Sequence, residues 1–194
     1  MKDLDLLTVE ELGRLFPIQI VKANPEWPTI FECEKSILLN ILGSDISLRI
    51  EHFGSTAVPN LAAKPTIDIL VEIPDNDYVK KDIIEIMDAN GFHSILRTDS
   101  PPPYSMFVKG YTLEGFSGQC FHVHMAPTNH SGLWDRIYFR DYLIANPDVA
   151  KEYEELKKTL AIKHQFNRED YTEAKKEFVA TVTEKAKRIA INKH

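Results

Sequence analysis

The chain has 194 residues, 43% of them hydrophobic, 27% charged and 10% aromatic; that globular balance excludes a disordered or fibrous protein and fits one domain with its own core. A formal net charge of −6 argues against extended nucleic acid as a partner, because a polyanionic backbone needs clustered lysine and arginine. No apolar run reaches the length of a membrane span, and Asp3 and Asp5 stand where a secretory signal would be basic, so a cytoplasmic protein without a membrane partner is expected.

Thr8 followed three residues later by Glu11 is a capping box. It predicts a helical extension within 1–16, its apolar side made by Leu12, Leu15 and Phe16 and packed on a sheet or a partner. Pro17 ends this helix, and 18–21 read as an edge strand. Pro28 suits a helix start, and Ile30, Phe31, Ile37, Leu38 and Ile41 recur at helical spacing up to Gly43, a helix to cover one sheet face. The run 48–53 reads as a strand that stops at Gly54, and Asp68 opens a second strand through Ile73. After a turn at 75–77, Val79, Ile83, Ile84, Ile86 and Met87 form a helical stripe that ends at Gly91.

Three strands follow, at 92–97, 104–109 and 119–125, with the prolines at 101–103 and the glycine-containing stretch 110–118 read as loops. Helices at 132–145, 148–163 and 168–191 complete the chain. Cys33 and Cys120 lack metal-ligand spacing and read as reduced structural residues. With no repeat or linker, residues 1–194 read as a single α+β domain, a mixed sheet flanked by helices, with a helical C-terminal third over 130–191 packed on the sheet.

Chemistry concentrates between 50 and 71. Gly54, Ser55 and Thr56 make a small-residue bend whose backbone N–H groups are open to a phosphate; a plain strand-to-helix turn is the alternative. Asp68 should lie beside that bend, as metal ligand and catalytic carboxylate or as an acceptor for the bend's own N–H groups. His122 and His124 alternate with Val123, so both imidazoles face one side of a strand. They read as metal ligands with Asp68, as donors to phosphate, or as a polar patch. Lys64 either neutralises a phosphate at Ser55 or is solvated. Tyr171, Lys175, Phe178 and Val182 follow at spacings of four, three and four, which puts Lys175 in a buried stripe where its amine needs an acid or an anion, unless it passes Tyr171 to water. Glu51 and His52 are adjacent, so one of them points away from the cavity, and Arg140 with Asp141 reads as an ion pair.

A Gly-Ser bend after one strand and a carboxylate on the next resemble the signature of the DNA polymerase beta-like nucleotidyltransferase superfamily. The wording from Glu51 to Pro59, followed by Lys64-Pro65-Thr66-Ile67-Asp68-Ile69, is more narrowly similar to the GrpB family within it. The likeness extends to Asn24-Pro25-Glu26-Trp27-Pro28, His122-Val123-His124, Phe139-Arg140-Asp141-Tyr142-Leu143 and the segment from Tyr171 to Phe178, across residues 17 to 190. What the resemblance implies is nucleotidyl transfer on a nucleotide or other phosphorylated small molecule. Gly54, Ser55, Thr56, Lys64, Tyr171 and Lys175 would hold the ligand, and Asp68, His122 and His124 a divalent metal. Mg²⁺ or Mn²⁺ is the expected ion, with Zn²⁺ or Ni²⁺ as the alternative that two imidazoles admit; a homodimer is an open expectation.

One departure stands out. The superfamily's second carboxylate falls at Leu70 here, and Glu72, though on the same strand face as Asp68, is about 13 Å further along. A catalytically inactive phosphometabolite-binding module, and a metal-dependent hydrolase using Asp68, His122 and His124, therefore stand beside the transferase reading.

Overall fold

Alternating apolar and polar residues along five strands build a sheet with two unlike faces. The computed structural model describes residue 4, residues 6–98 and residues 102–192, with the side chains at 77–80 left out. Strands β1 (Arg49–Phe53), β2 (Thr66–Glu72), β3 (His93–Arg97), β4 (Tyr104–Thr112) and β5 (Gly115–Ala126) lie in the order β1-β2-β5-β4-β3. β2 and β5 run parallel and the other neighbours antiparallel, so the sheet is mixed as expected. The register sets Phe53 and His122 on either side of Asp68, and His124 beside Leu70.

One face carries Ile67, Ile69, Val71, Phe107, Phe121, Val123 and Met125, packed against Trp27, Phe31, Leu38 and Leu42 of α2 (Trp27–Leu42) and Ile83 and Met87 of α3 (Asp77–Ala89). The opposite face gathers Phe53, Leu70, Tyr104, Met106, Val108, Tyr111 and Ala126 with Leu133 and Trp134 of α4 (Ser131–Ala145). Phe16 joins that cluster from the end of α1 (Val9–Leu15), its ring against Tyr111 and Phe116, so the N-terminal helix seats on the β4–β5 hairpin. Thr8 caps α1 through the capping box read from the sequence. Helices α5 (Pro147–Lys163), α6 (Arg168–Glu173) and α7 (Lys176–Ile191) follow. Tyr153 and Val182 pack with Phe139 and Leu143 of α4 and with Val58 and Leu61 of the β1–β2 loop. Among the described residues no helix is long and apolar enough to cross a membrane.

The structure corrects four readings. Residues 18–21 form no strand but one antiparallel bridge, Val21 to Ala63, because Pro17 and Pro25 leave too short a segment to extend the sheet. The stretch 110–118 is not a loop: β4 and β5 continue as a hairpin to the pair Thr112 and Gly115, with a register shift between Lys109 and Tyr111. The glycine there serves a bulge, since Gly110 has φ 89° and a Cβ would come 2.7 Å from the Gln119 carbonyl oxygen. Asp68 is the third residue of β2 rather than its first. The last helix breaks between α6 and α7, where the Lys175 N–H donates to the Thr172 carbonyl in a tighter turn that no glycine or proline announces. Asp3, Asp5, Pro101 and the side chain of Val79 lie outside the described residues.

Candidate functional site

Gly54 ends β1 with φ 73° and ψ −171°, a backbone region essentially restricted to glycine. One 3₁₀ turn, Ser55–Ala57, follows. The bend lies against β2 so closely that a Cβ at Gly54 would stand 2.4 Å from Asp68 Oδ2. The Thr56 hydroxyl donates to the Thr66 carbonyl at 3.2 Å and lies 3.0 Å from His52 Nε2. Thr56 is thus a strut of the bend, and the Ser55 side chain is hydrogen-bonded with Tyr153.

Period-2 alternation puts Asp68 on the opposite face from Ile67 and Ile69, and the parallel register lays His122 alongside it. His122 Nδ1 is 3.3 Å from Asp68 Oδ1. Asp68, His122 and His124 each offer one ligand atom, and these atoms lie within 4.8 Å of one another. One nitrogen of each imidazole is engaged by a tyrosine. His122 Nε2 is 2.7 Å from the Tyr111 hydroxyl with the two rings stacked, and His124 Nδ1 is 3.1 Å from the Tyr104 hydroxyl. The side chains of Asp68 and His122 keep 28% and 16% exposure, so the cluster opens to solvent.

Burial pushes the Asp68 carboxyl up, but the His122 imidazole and the Lys64 charge outweigh it and hold the group at about 2. Burial drives His122 and His124 below the ordinary histidine value. At neutral pH the site therefore presents one carboxylate and two neutral imidazoles.

Positive charge gathers next to it. Lys64 and Lys175 Nζ lie 5.6 and 4.2 Å from the ring centroid of Tyr171, which is itself 1% exposed; Tyr171 is a floor for the two amines. Lys157 on α5 donates to the Ala62 carbonyl. Burial, with repulsion from Lys175, lowers Lys157 to about 7, and burial lowers Lys175 to about 8 against the pull of Asp68. Burial and neighbouring cations also set Lys64 well below a normal lysine. Arg168, at the start of α6, lies 5.9 Å over the Tyr111 ring and donates to the Phe16 carbonyl.

Gly54, Ser55, Lys64, Asp68, His122, His124, Tyr171 and Lys175 are thus brought to one end of the sheet. Other candidates go elsewhere. Glu51 pairs with Arg49 and Arg140 at 2.8 Å each. Arg140 also meets Asp141 at 2.7 Å and donates to the His52 carbonyl. His52 turns to the other face and stacks on Phe31, and Glu72 accepts a hydrogen bond from Thr128. Leu70 is fully buried. Sequence reasoning missed Tyr104, Tyr111, Lys157 and Arg168. Lys157 was within reach of the signal that exposed Lys175: it sits in the α5 stripe with Tyr153 and Leu160, all three buried.

A profile described as GrpB protein matches residues 17–185. The UPF0157 protein YqkA of Bacillus subtilis (strain 168) is 36% identical over 185 residues, covering 94% of this chain and 51% of YqkA, so the chain spans about half the length of that relative. The crystal structure of conserved protein GrpB from Enterococcus faecalis superposes with a TM-score of 0.73 at 31% identity, over 87% of this chain and 96% of that one. A structure of Cid1, a protein with RNA terminal uridylyl transferase activity, superposes with a TM-score of 0.50 at 16% identity, over 86% of this chain and 51% of Cid1. That likeness is one of fold.

Proposed function

The chain belongs to the GrpB family, and on that premise we propose that it binds a nucleotide or another phosphorylated small molecule, with a divalent metal ion, at the Asp68 end of the sheet. The observation that carries this reading is the excess of positive charge beside the Gly54 bend. Lys64, Lys157, Lys175 and Arg168 converge there, and Asp68 is the acid that acts on both Lys64 and Lys175. Ammonium groups drawn out of water in such excess are costly unless an anion with several charges balances them. The bend is a small-residue turn of the kind that receives anions, and Ser55 adds a hydroxyl.

Nucleotidyl transfer is the stricter form of the proposal. A buried Leu70 stands where the superfamily's second carboxylate would be, so binding is the conclusion and transfer the further test. The Asp68, His122 and His124 donor set supports a second reading, a metal-dependent hydrolase.

Thermal unfolding with nucleoside triphosphates and inorganic tripolyphosphate, with and without Mn²⁺, tests the proposal. A ligand at 100 times its Kd should add about 2.7 kcal/mol of stability, and Ser55→Ala and Lys175→Ala should each lose most of that gain. Release of pyrophosphate would extend the reading to transfer. If no phosphorylated compound stabilises the folded chain, or if Lys175→Ala responds like the parent, the proposal is wrong.

A further inference from the structure

We infer that Asp68, His122 and His124 hold a single transition-metal ion of the Zn²⁺, Ni²⁺ or Co²⁺ type, and that Tyr104 and Tyr111 are the positioning residues that aim the two imidazoles at it. The inference stands apart from the phosphate reading, because it uses no residue of the lysine group.

Donor chemistry comes first. Magnesium takes oxygen ligands and keeps its waters, and a pair of such ions needs two carboxylates close together on one strand face. Here Asp68 is followed two residues on by Leu70, which is fully buried, and Glu72 is turned to Thr128. The magnesium arrangement of the fold class does not fit these residues. One carboxylate oxygen and two imidazole nitrogens do fit a borderline ion. Their ligand atoms lie within 4.8 Å of one another, a spread that one ion with bonds of about 2.0–2.2 Å closes by movements of roughly half an ångström.

The tyrosines supply the second, independent observation. A histidine that ligates a metal almost always has its other ring nitrogen held by a hydrogen-bond partner, which sets the tautomer and aims the ring. Both histidines have such a partner, Tyr111 at 2.7 Å on His122 Nε2 and Tyr104 at 3.1 Å on His124 Nδ1. The nitrogens left over are Nδ1 of His122, which faces Asp68, and Nε2 of His124. A metal-free chain from Tyr111 through His122 to Asp68 would account for one imidazole. It gives no role to the second, which is buried on the same strand face and likewise held by a tyrosine.

The test uses the whole chain stripped of metal by chelation, without nucleotide, titrated by calorimetry with Zn²⁺, Ni²⁺, Co²⁺ and Mg²⁺. The expected result is one equivalent of Zn²⁺ bound, a visible Co²⁺ absorption band, and no Mg²⁺ binding at matched concentration. Tyr104→Phe and Tyr111→Phe keep the rings and remove only the hydroxyls. Each should weaken Zn²⁺ about 10- to 100-fold, and His122→Ala or His124→Ala should abolish the Co²⁺ band. Mg²⁺ binding as tight as Zn²⁺, Zn²⁺ affinity unchanged in the two phenylalanine variants, or no ion bound by a chain that circular dichroism shows folded would each overturn the inference. Tripolyphosphate stabilisation without Zn²⁺ binding would remove the metal and leave the phosphate reading standing; Zn²⁺ binding without phosphate stabilisation would do the reverse.

Discussion

β2 and β5 present two chemistries back to back. Under α2 and α3 the two strands contribute Ile67, Ile69, Val71, Phe121, Val123 and Met125, none more than 6% exposed. On the reverse side the same strands carry Asp68, His122 and His124 among tyrosines, with the lysines beyond. Burying each large apolar side chain contributes about 1.5–3 kcal/mol, whereas each charge drawn from water costs free energy until a partner meets it. Strand alternation thus lets one pair of strands bury an all-apolar face on one side and, on the other, set Asp68, His122 and His124 beside a second apolar cluster that includes Leu70 and Ala126.

The largest effect expected from this division is at Phe107→Ala on the apolar face. It should lower the unfolding free energy by about 3–5 kcal/mol, while His122→Ala on the other face should cost less, about 1–3 kcal/mol, by taking a partner from both Asp68 and the Tyr111 hydroxyl. Urea unfolding of the two variants measures both, and similar losses would erase the distinction between the faces. Gly54→Ala crosses the boundary. A side chain at φ 73° and ψ −171° costs about 1–3 kcal/mol, and its Cβ would push against the Asp68 carboxylate. Stability and phosphate-induced stabilisation should therefore fall together in this variant alone.

The smallest effect is on pH dependence. Lys157 and Lys175 are lowered in the fold to about 7 and about 8 from 10.5, so across roughly that window the unfolded chain binds more protons. Stability of the ligand-free protein should then rise from about pH 7 toward 10.5, because the penalty of burying the charged amines is relieved as they deprotonate. Affinity for tripolyphosphate should fall over the same range, since the amines that attract it lose their charge. Lys175→Met should flatten both trends, read from urea midpoints and thermal shifts measured against pH. A Lys175→Met profile superimposable on the parent's would separate this lysine from the site.

Much of this arrangement was legible in the chain. The capping box at Thr8 and Glu11, the helix ending at Gly43 and the strands on either side of Gly54 follow from local rules, and the structure holds all of them. Gly54 beside Asp68 was expected from the run of one strand into the bend and on to the next, and the antiparallel pairing of Phe53 with Asp68 puts them together. The glycines at 110, 115 and 118 misled, since glycine marks a bulged hairpin as readily as a loop. The break at Lys175 had no local signal at all.

Periodicity, turns and caps act over a few residues, which is why the sequence alone could assign the elements, the face on which Asp68 lies and the pairing of His122 with His124. The tertiary structure alone decided that β5 lies between β2 and β4, and with that order came the placing of Tyr111 and Tyr104 against the two imidazoles. It likewise decided that Lys157 from α5 and Arg168 from α6 close on the same end of the sheet. Strand order and helix docking are settled by burial summed over distant segments, and no window of neighbouring residues contains that sum.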